Sequence, residues 1–263
     1  MELGLAGRPA LVAAASKGIG RAAAHALAAE GATVAICARD AGTLQATRDE
    51  IAEATGSTVV AIPTDVSTEE GARRFIREGA EALGGCEILI ANADGPPVGR
   101  FEELSDDDFR AAADLVLFSA LRMTREALPL MKVAGYGRVV IVSSIAVKQP
   151  IPGLVLSNSI RAAVLGWART LADEVAADGV TVNAVLPGSI ATDRIRWLLE
   201  GRAERSGRTV EEERAADVAA IPVGRHGEPH EVGDVISFLC SERASYLTGC
   251  FIQVDGGQYR GLL

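Results

Sequence analysis

Short apolar, β-branched runs alternate along this chain with longer segments whose apolar residues recur every three or four positions. The runs at 10–15, 33–38, 58–62, 88–91, 139–142, 180–186 and 251–254 have strand length. Between them lie helical periods: within 162–175, Val164, Trp167, Ala168, Leu171 and Val175 fall on one helical face, predicted to meet the core or a second subunit. This alternation predicts an α/β fold, a doubly wound seven-stranded parallel sheet with helices on both faces. Helix starts are marked by Ser67 with Glu70, Ser105 with Asp108 and Thr209 with Glu212, each a capping box or its acidic equivalent. The one long stretch without a strand, 193–222, is the expected place for a lid over a substrate.

Composition narrows the function classes. A chain of 263 residues with 48% hydrophobic and 23% charged residues is expected to form one compact unit over 1–263, and no segment approaches the roughly 20 apolar residues of a membrane span. The apolar run at 10–15 follows Arg8 and Pro9 and ends in a turn, so it reads as a core strand instead of a signal peptide, and a cytoplasmic location is expected. A net charge of −9 argues against nucleic acid as a partner, because phosphate backbones call for a basic surface. Cys37, Cys86, Cys240 and Cys250 lack metal or redox spacing and read as free thiols. His226 and His230 are separated by a proline at 229, so no metal site is expected.

Candidate chemistry begins after the first strand, where the chain reads Ala14-Ala15-Ser16-Lys17-Gly18-Ile19-Gly20 and continues into a helical segment at 21–30. Glycines there let the backbone approach a pyrophosphate, while the helix offers free N–H groups and the positive end of its dipole. After the second strand stands Arg39, where an acidic residue would bind the ribose diol of NAD. Arg39 and Lys17 are placed to clamp a 2′-phosphate, so NADP(H) is favoured over NAD(H).

With Ser143-Ser144, Pro187-Gly188 and Asp255-Gly256-Gly257 added, the chain resembles the short-chain dehydrogenase/reductase family over essentially its full length, and within it the 3-oxoacyl-acyl-carrier-protein reductases. The resemblance implies a Rossmann-type fold, a homotetramer with a dimer as runner-up, and a small-molecule substrate. It also implies further cofactor contacts: Asp65 and Val66 at the adenine, Asn92 and Ala93 on the adenosine side, and Pro187, Gly188, Ile190 and Thr192 around the nicotinamide carboxamide. Two family glycine-loop positions are Ala13 and Ala14 here, and Ala14 is expected to replace glycine with a negative φ.

The family's catalytic Asn, Ser, Tyr and Lys align with Val116, Ser144, Ser157 and Arg161, so only the serine matches. In the family the Tyr exchanges a proton with substrate and the Lys lowers its pKa and holds the cofactor ribose. Arg161 keeps a fixed charge able to bind ribose but lends no proton. Ser157 is a far weaker acid than a phenol with a pKa of about 10, and losing a positioned general acid costs about 10²–10⁴-fold in rate. Three routes stay open: Lys148 as replacement acid, a water held by Ser144, Ser157 and Arg161, or an iminium substrate that leaves no alkoxide to protonate.

The expected activity is an NADP(H)-dependent oxidoreductase acting on a small carbonyl, alcohol or imine with a non-standard site. The alternatives are a cofactor-binding protein without redox chemistry, such as a sensor or inactive subunit, and a dehydratase or isomerase on the same fold. Replacing Arg39→Asp is expected to weaken NADPH binding sharply, and an unchanged Kd in a fluorescence titration would remove the 2′-phosphate assignment.

Overall fold

The computed structural model describes residues 2–262. Seven strands, β1 (Pro9–Val12), β2 (Thr33–Ala38), β3 (Val59–Pro63), β4 (Ile88–Ala91), β5 (Gly137–Val142), β6 (Val180–Pro187) and β7 (Phe251–Val254), form one all-parallel sheet in the order β3-β2-β1-β4-β5-β6-β7. The central strands are buried on both sides, so adjacent residues feed different cores. Leu11, Ala35, Leu89, Val139 and Val182 face one layer; Ala10, Val12, Val34, Ile90 and Val140 face the other.

Nine α-helices cover these faces: α1 (Gly18–Ala29), α2 (Ala41–Thr55), α3 (Glu69–Leu83), α4 (Asp106–Ala112), α5 (Ser119–Ala134), α6 (Val155–Val175), α7 (Asp193–Ser206), α8 (Val210–Ala219) and α9 (Pro229–Cys240), counted among the described residues. Phe75 of α3 is fully buried in the layer that also receives Met123 of α5 and Val164 of α6. On the opposite face α9 approaches α1 so closely that a Cβ on Gly233 would stand 2.8 Å from the carbonyl oxygen of Ala22. Between α4 and α5 the helix widens into a π-helical stretch, Ala113–Phe118, which turns Val116 into the interior. None of the helices is long and apolar enough to cross a membrane, among the described residues.

Several local expectations shift. Strand β1 ends at Val12, although the amides of Ala13 and Ala15 still bond to Ile90 O and Cys37 O. Helix α1 begins at Gly18 instead of Arg21, which brings both loop glycines into its first turn. Helix α3 is capped by Thr68, whose hydroxyl accepts from the Gly71 amide, and not by Ser67. The boxes at Ser105 with Asp108 and Thr209 with Glu212 form as read. Tyr136 is sandwiched between the guanidinium groups of Arg8 and Arg138, whereas Tyr246 is fully exposed.

Ala14 departs from expectation most clearly. Its φ is +49°, and among the described residues no other non-glycine residue has a positive φ. The bonds made by Ala13 and Ala15 hold both sides of the turn to neighbouring strands, so Ala14 takes the left-handed conformation that a glycine would take without strain. For an L-residue this costs about 1–2 kcal/mol, partly offset by the smaller entropy that alanine loses on folding. Accordingly Ala14→Gly is expected to stabilise the protein by up to about 1 kcal/mol, and Ala14→Val to destabilise it, in denaturant unfolding. An Ala14→Gly variant less stable than the parent would contradict this strain.

Candidate functional site

Because every strand points the same way, the loops after their carboxyl ends meet at one edge of the sheet. Ser16, Lys17, Gly18, Ile19 and Gly20 follow β1; Arg39 follows β2; Asp65 and Val66 follow β3; Asn92 and Ala93 follow β4; Ser144 and Lys148 follow β5; Pro187 at the end of β6 leads to Gly188, Ile190 and Thr192. Ser157 and Arg161 reach this edge from α6, which packs against β6.

Side chains from distant segments shape the glycine turn. The Asn92 amide donates from Nδ2 to Ala14 O at 3.2 Å, and a Cβ on Gly20 would collide with that carbonyl and lie 2.8 Å from Nδ2. Thr47 Oγ1 donates to Ser16 O at 3.0 Å. Thr192 lies over Gly18, where an added Cβ would sit 3.3 Å from its methyl group. Lys17 occupies the N-cap of α1 in an extended conformation without a side-chain cap, so the first amides of α1 stay available to an anion. A dinucleotide fits this cradle, since its pyrophosphate needs the close backbone approach that Gly20 permits.

The two candidate phosphate cations are held loosely. Lys17 Nζ lies 3.7 Å from Asp193 Oδ2, and Arg39 Nη2 lies 3.6 Å from Asp94 Oδ2, all four side chains being largely exposed. Exposed pairs of this kind contribute only about 0–1 kcal/mol, so a phosphate can displace them. Asp65 is partly committed, its Oδ1 accepting from the Ser67 amide at 3.0 Å.

At the other end of the groove, Arg161 is 8% exposed. Its Nε donates to Ser157 Oγ at 3.2 Å, one helical turn earlier, and its Nη1 donates to Val142 O at 3.0 Å and Ser143 O at 3.4 Å. Burial, then repulsion from Arg194, lowers its pKa to about 10 against the pull of Asp94, which leaves it cationic near neutrality. Beside it lies a cavity of about 10 Å³, room for about one water, lined by Asn92, Val116, Ser143 and Arg161 among others. The buried Ser143 hydroxyl finds no protein partner there. Ser144 Oγ accepts from the Ala146 amide at 3.1 Å. Lys148 Nζ stands 5.3 Å from the ring centroid of Tyr259, in the tail that follows β7. That tail is tied to the β6 end, Gln258 accepting from the Ser189 amide at 3.2 Å.

Arg194, in the first turn of α7, was not singled out by sequence. Its Nη2 donates to Pro96 O at 2.8 Å, and its guanidinium lies over the ring of Trp197. Its place two residues beyond Thr192 is the one signal that sequence offers. The 193–222 region folds as α7 and α8, joined by Arg202 to Asp217 at 2.7 Å. His226 approaches the same carboxylate at 3.1 Å. Burial would raise Asp217, but bonds from Arg202 and Ser189 hold it below the usual carboxylate range. Burial pushes the thiols of Cys37 and Cys86 up to about 12. No group of three or more potential metal ligands occurs among the described residues.

Comparison with known proteins agrees in extent with this architecture. The sequence model of a family described as enoyl-(acyl carrier protein) reductase matches residues 13–258. The 3-oxoacyl-acyl-carrier-protein reductase FabG of Aquifex aeolicus is 34% identical over 259 residues, covering 98% of this chain and 100% of its own. Human dehydrogenase/reductase SDR family member 4 is 33% identical, covering 96% of this chain and 88% of its own. L-sorbose reductase from Gluconobacter frateurii, solved with NADPH and L-sorbose, superposes with a TM-score of 0.94 at 30% identity over 100% of both chains.

Gly20→Ala is expected to abolish dinucleotide binding and to lower stability by about 1–3 kcal/mol while retaining the helical circular dichroism. Undiminished binding would mean that the β1–α1 turn is not the cofactor cradle.

Proposed function

From the premise that the chain belongs to the short-chain dehydrogenase/reductase family, we propose that it is an NADP(H)-dependent oxidoreductase acting on a small carbonyl, alcohol or imine through a divergent site. The observation that carries this reading is the uncapped start of α1 beside Lys17 and Arg39, two cations held only by weak exposed pairs. Those groups would take the pyrophosphate and the 2′-phosphate. The NADPH complex of L-sorbose reductase and an NADPH-dependent reductase of bacilysin biosynthesis, 26% identical with a TM-score of 0.92, support the same preference.

The bound dinucleotide would supply or accept a hydride at its nicotinamide ring. Thr192, Pro187, Gly188 and Ile190 would line that ring, and Asn92 would keep the β4 loop against the glycine turn. Arg161 takes the place of the family lysine and would hold ribose hydroxyls by charge. Ser144 and Ser157 would orient the substrate oxygen. None of these groups replaces a phenol as proton donor, because Arg161 stays charged and the aliphatic hydroxyl of Ser157 is a far weaker acid than a phenol. Lys148 and water therefore remain the proton sources in this reading, and an iminium substrate would need neither. The pair α7–α8 would form the lid, and a homotetramer is the proposed assembly.

A second reading, cofactor binding without hydride transfer, draws on α6 presenting Ser157 and Arg161 and no tyrosine. Titration with NADPH and NADH followed by a substrate screen separates them: tight NADPH binding with cofactor oxidation supports the first, and tight binding without oxidation the second. Introducing Ser157→Tyr together with Arg161→Lys is expected to raise ketone reduction by about 10²-fold or more if the surrounding geometry is that of a dehydrogenase. No gain would assign the pocket to other chemistry.

A further inference from the structure

Two sheltered guanidinium groups at the substrate end have no carboxylate of their own. Arg161 is buried, and its hydrogen bonds all end on neutral oxygens. Arg194 is half-buried and likewise donates to a neutral carbonyl, Pro96 O. The backbone of Gly95 supports its guanidinium so closely that a Cβ there would stand 2.7 Å from Cζ, while Trp197 covers it at 4.6 Å. Neither arginine forms an ion pair among the described residues, although their exposed neighbour Arg196 on α7 does, with Asp193.

The charges do not balance locally. Both guanidinium groups lie against the loop after β4, Arg161 beside Asn92 and Ala93 and Arg194 on Gly95 and Pro96, and the acid of that loop, Asp94, is paired with Arg39. A desolvated cation without an opposite charge is unfavourable unless a ligand brings the anion. The planar fork of an arginine matches a carboxylate, and Trp197 offers an apolar wall beside it. Lys17, Arg39 and the start of α1 already provide for the cofactor's phosphates. Arg161 on α6 and Arg194 at the start of α7, the first helix of the proposed lid, are thus left for an anion other than those phosphates.

We propose that Arg194, backed by the positive charge of Arg161, forms a subsite for a carboxylate on the substrate, so that the protein acts on oxo or hydroxy acids in preference to neutral ketones or alcohols. The assignment rests on the oxidoreductase reading for the reacting carbon, but not for the anion itself.

The test uses the full chain loaded with NADPH. Binding of 2-oxobutanoate and 4-oxopentanoate is compared with that of their methyl esters by calorimetry, and NADPH oxidation is followed in parallel. At least one acid is expected to bind about ten-fold or more tightly than its ester, the effect of a charge-assisted hydrogen bond in a sheltered site. In Arg194→Gln this ratio falls toward one through loss of acid binding, and Arg194→Lys restores part of it; thermal melting reports whether each variant is folded. Equal binding of acids and esters, absence of binding by both acids, or a loss in Arg194→Gln that falls on NADPH affinity instead overturns the proposal. Arg194-dependent acid binding without NADPH oxidation by any carbonyl leaves the anion subsite standing and removes the redox reading alone.

Discussion

Strand direction is the constraint on which everything else in this molecule depends. With all seven strands parallel, each crossover must return across a face of the sheet, and every strand delivers its carboxyl end to the same edge. Residues as distant in sequence as Gly18, Asn92, Ser157 and Thr192 therefore become neighbours. The sheet is held by two apolar layers, one built with α3, α5 and α6 and the other with α1, α2 and α9. Their packing makes the edge rigid enough for small contacts to matter, such as the amide of Asn92 on the carbonyl of Ala14.

The turn after β1 illustrates how a local rule yields to a tertiary one. Alanine avoids the left-handed region, and its sequence context alone predicts a negative φ at Ala14. The neighbouring amides are nonetheless committed to Ile90 O and Cys37 O, and Gly20 must pass close to the Ala14 carbonyl. Sheet pairing on both sides outweighs the cost at one residue.

Charge is distributed unequally along the groove. Toward the glycine turn, Lys17 and Arg39 have exposed acidic partners that solvent screens and a phosphate can replace. Toward α6 and α7, Arg161 and Arg194 are sheltered and bonded to neutral oxygens, where Coulomb effects are stronger because water is excluded. Arg161 places a buried positive charge under the Val142–Ser143 segment, with Val116 of the π-helical stretch lining the same cavity.

Sequence alone determined the alternation of strands and helices, the count of seven strands, the capping boxes of α4 and α8 and the location of the glycine turn, because those follow from side-chain periodicity and short-range backbone chemistry. Strand ends were legible to within a few residues, since apolar Ala13, Ala14 and Ala15 carry no sign of where the ladder stops. The shift of the α3 cap from Ser67 to Thr68 escaped for a similar reason: adjacent hydroxyls are equivalent until the helix axis is set. Tertiary structure alone decided that Ala14 is left-handed, that Arg194 shelters on Gly95 beside Arg161, and that Lys148 meets Tyr259. Each of those depends on segments far apart in the chain, 98 residues for Arg194 and Pro96, and burial and mutual distance arise only when the folded sheet brings such segments to one edge.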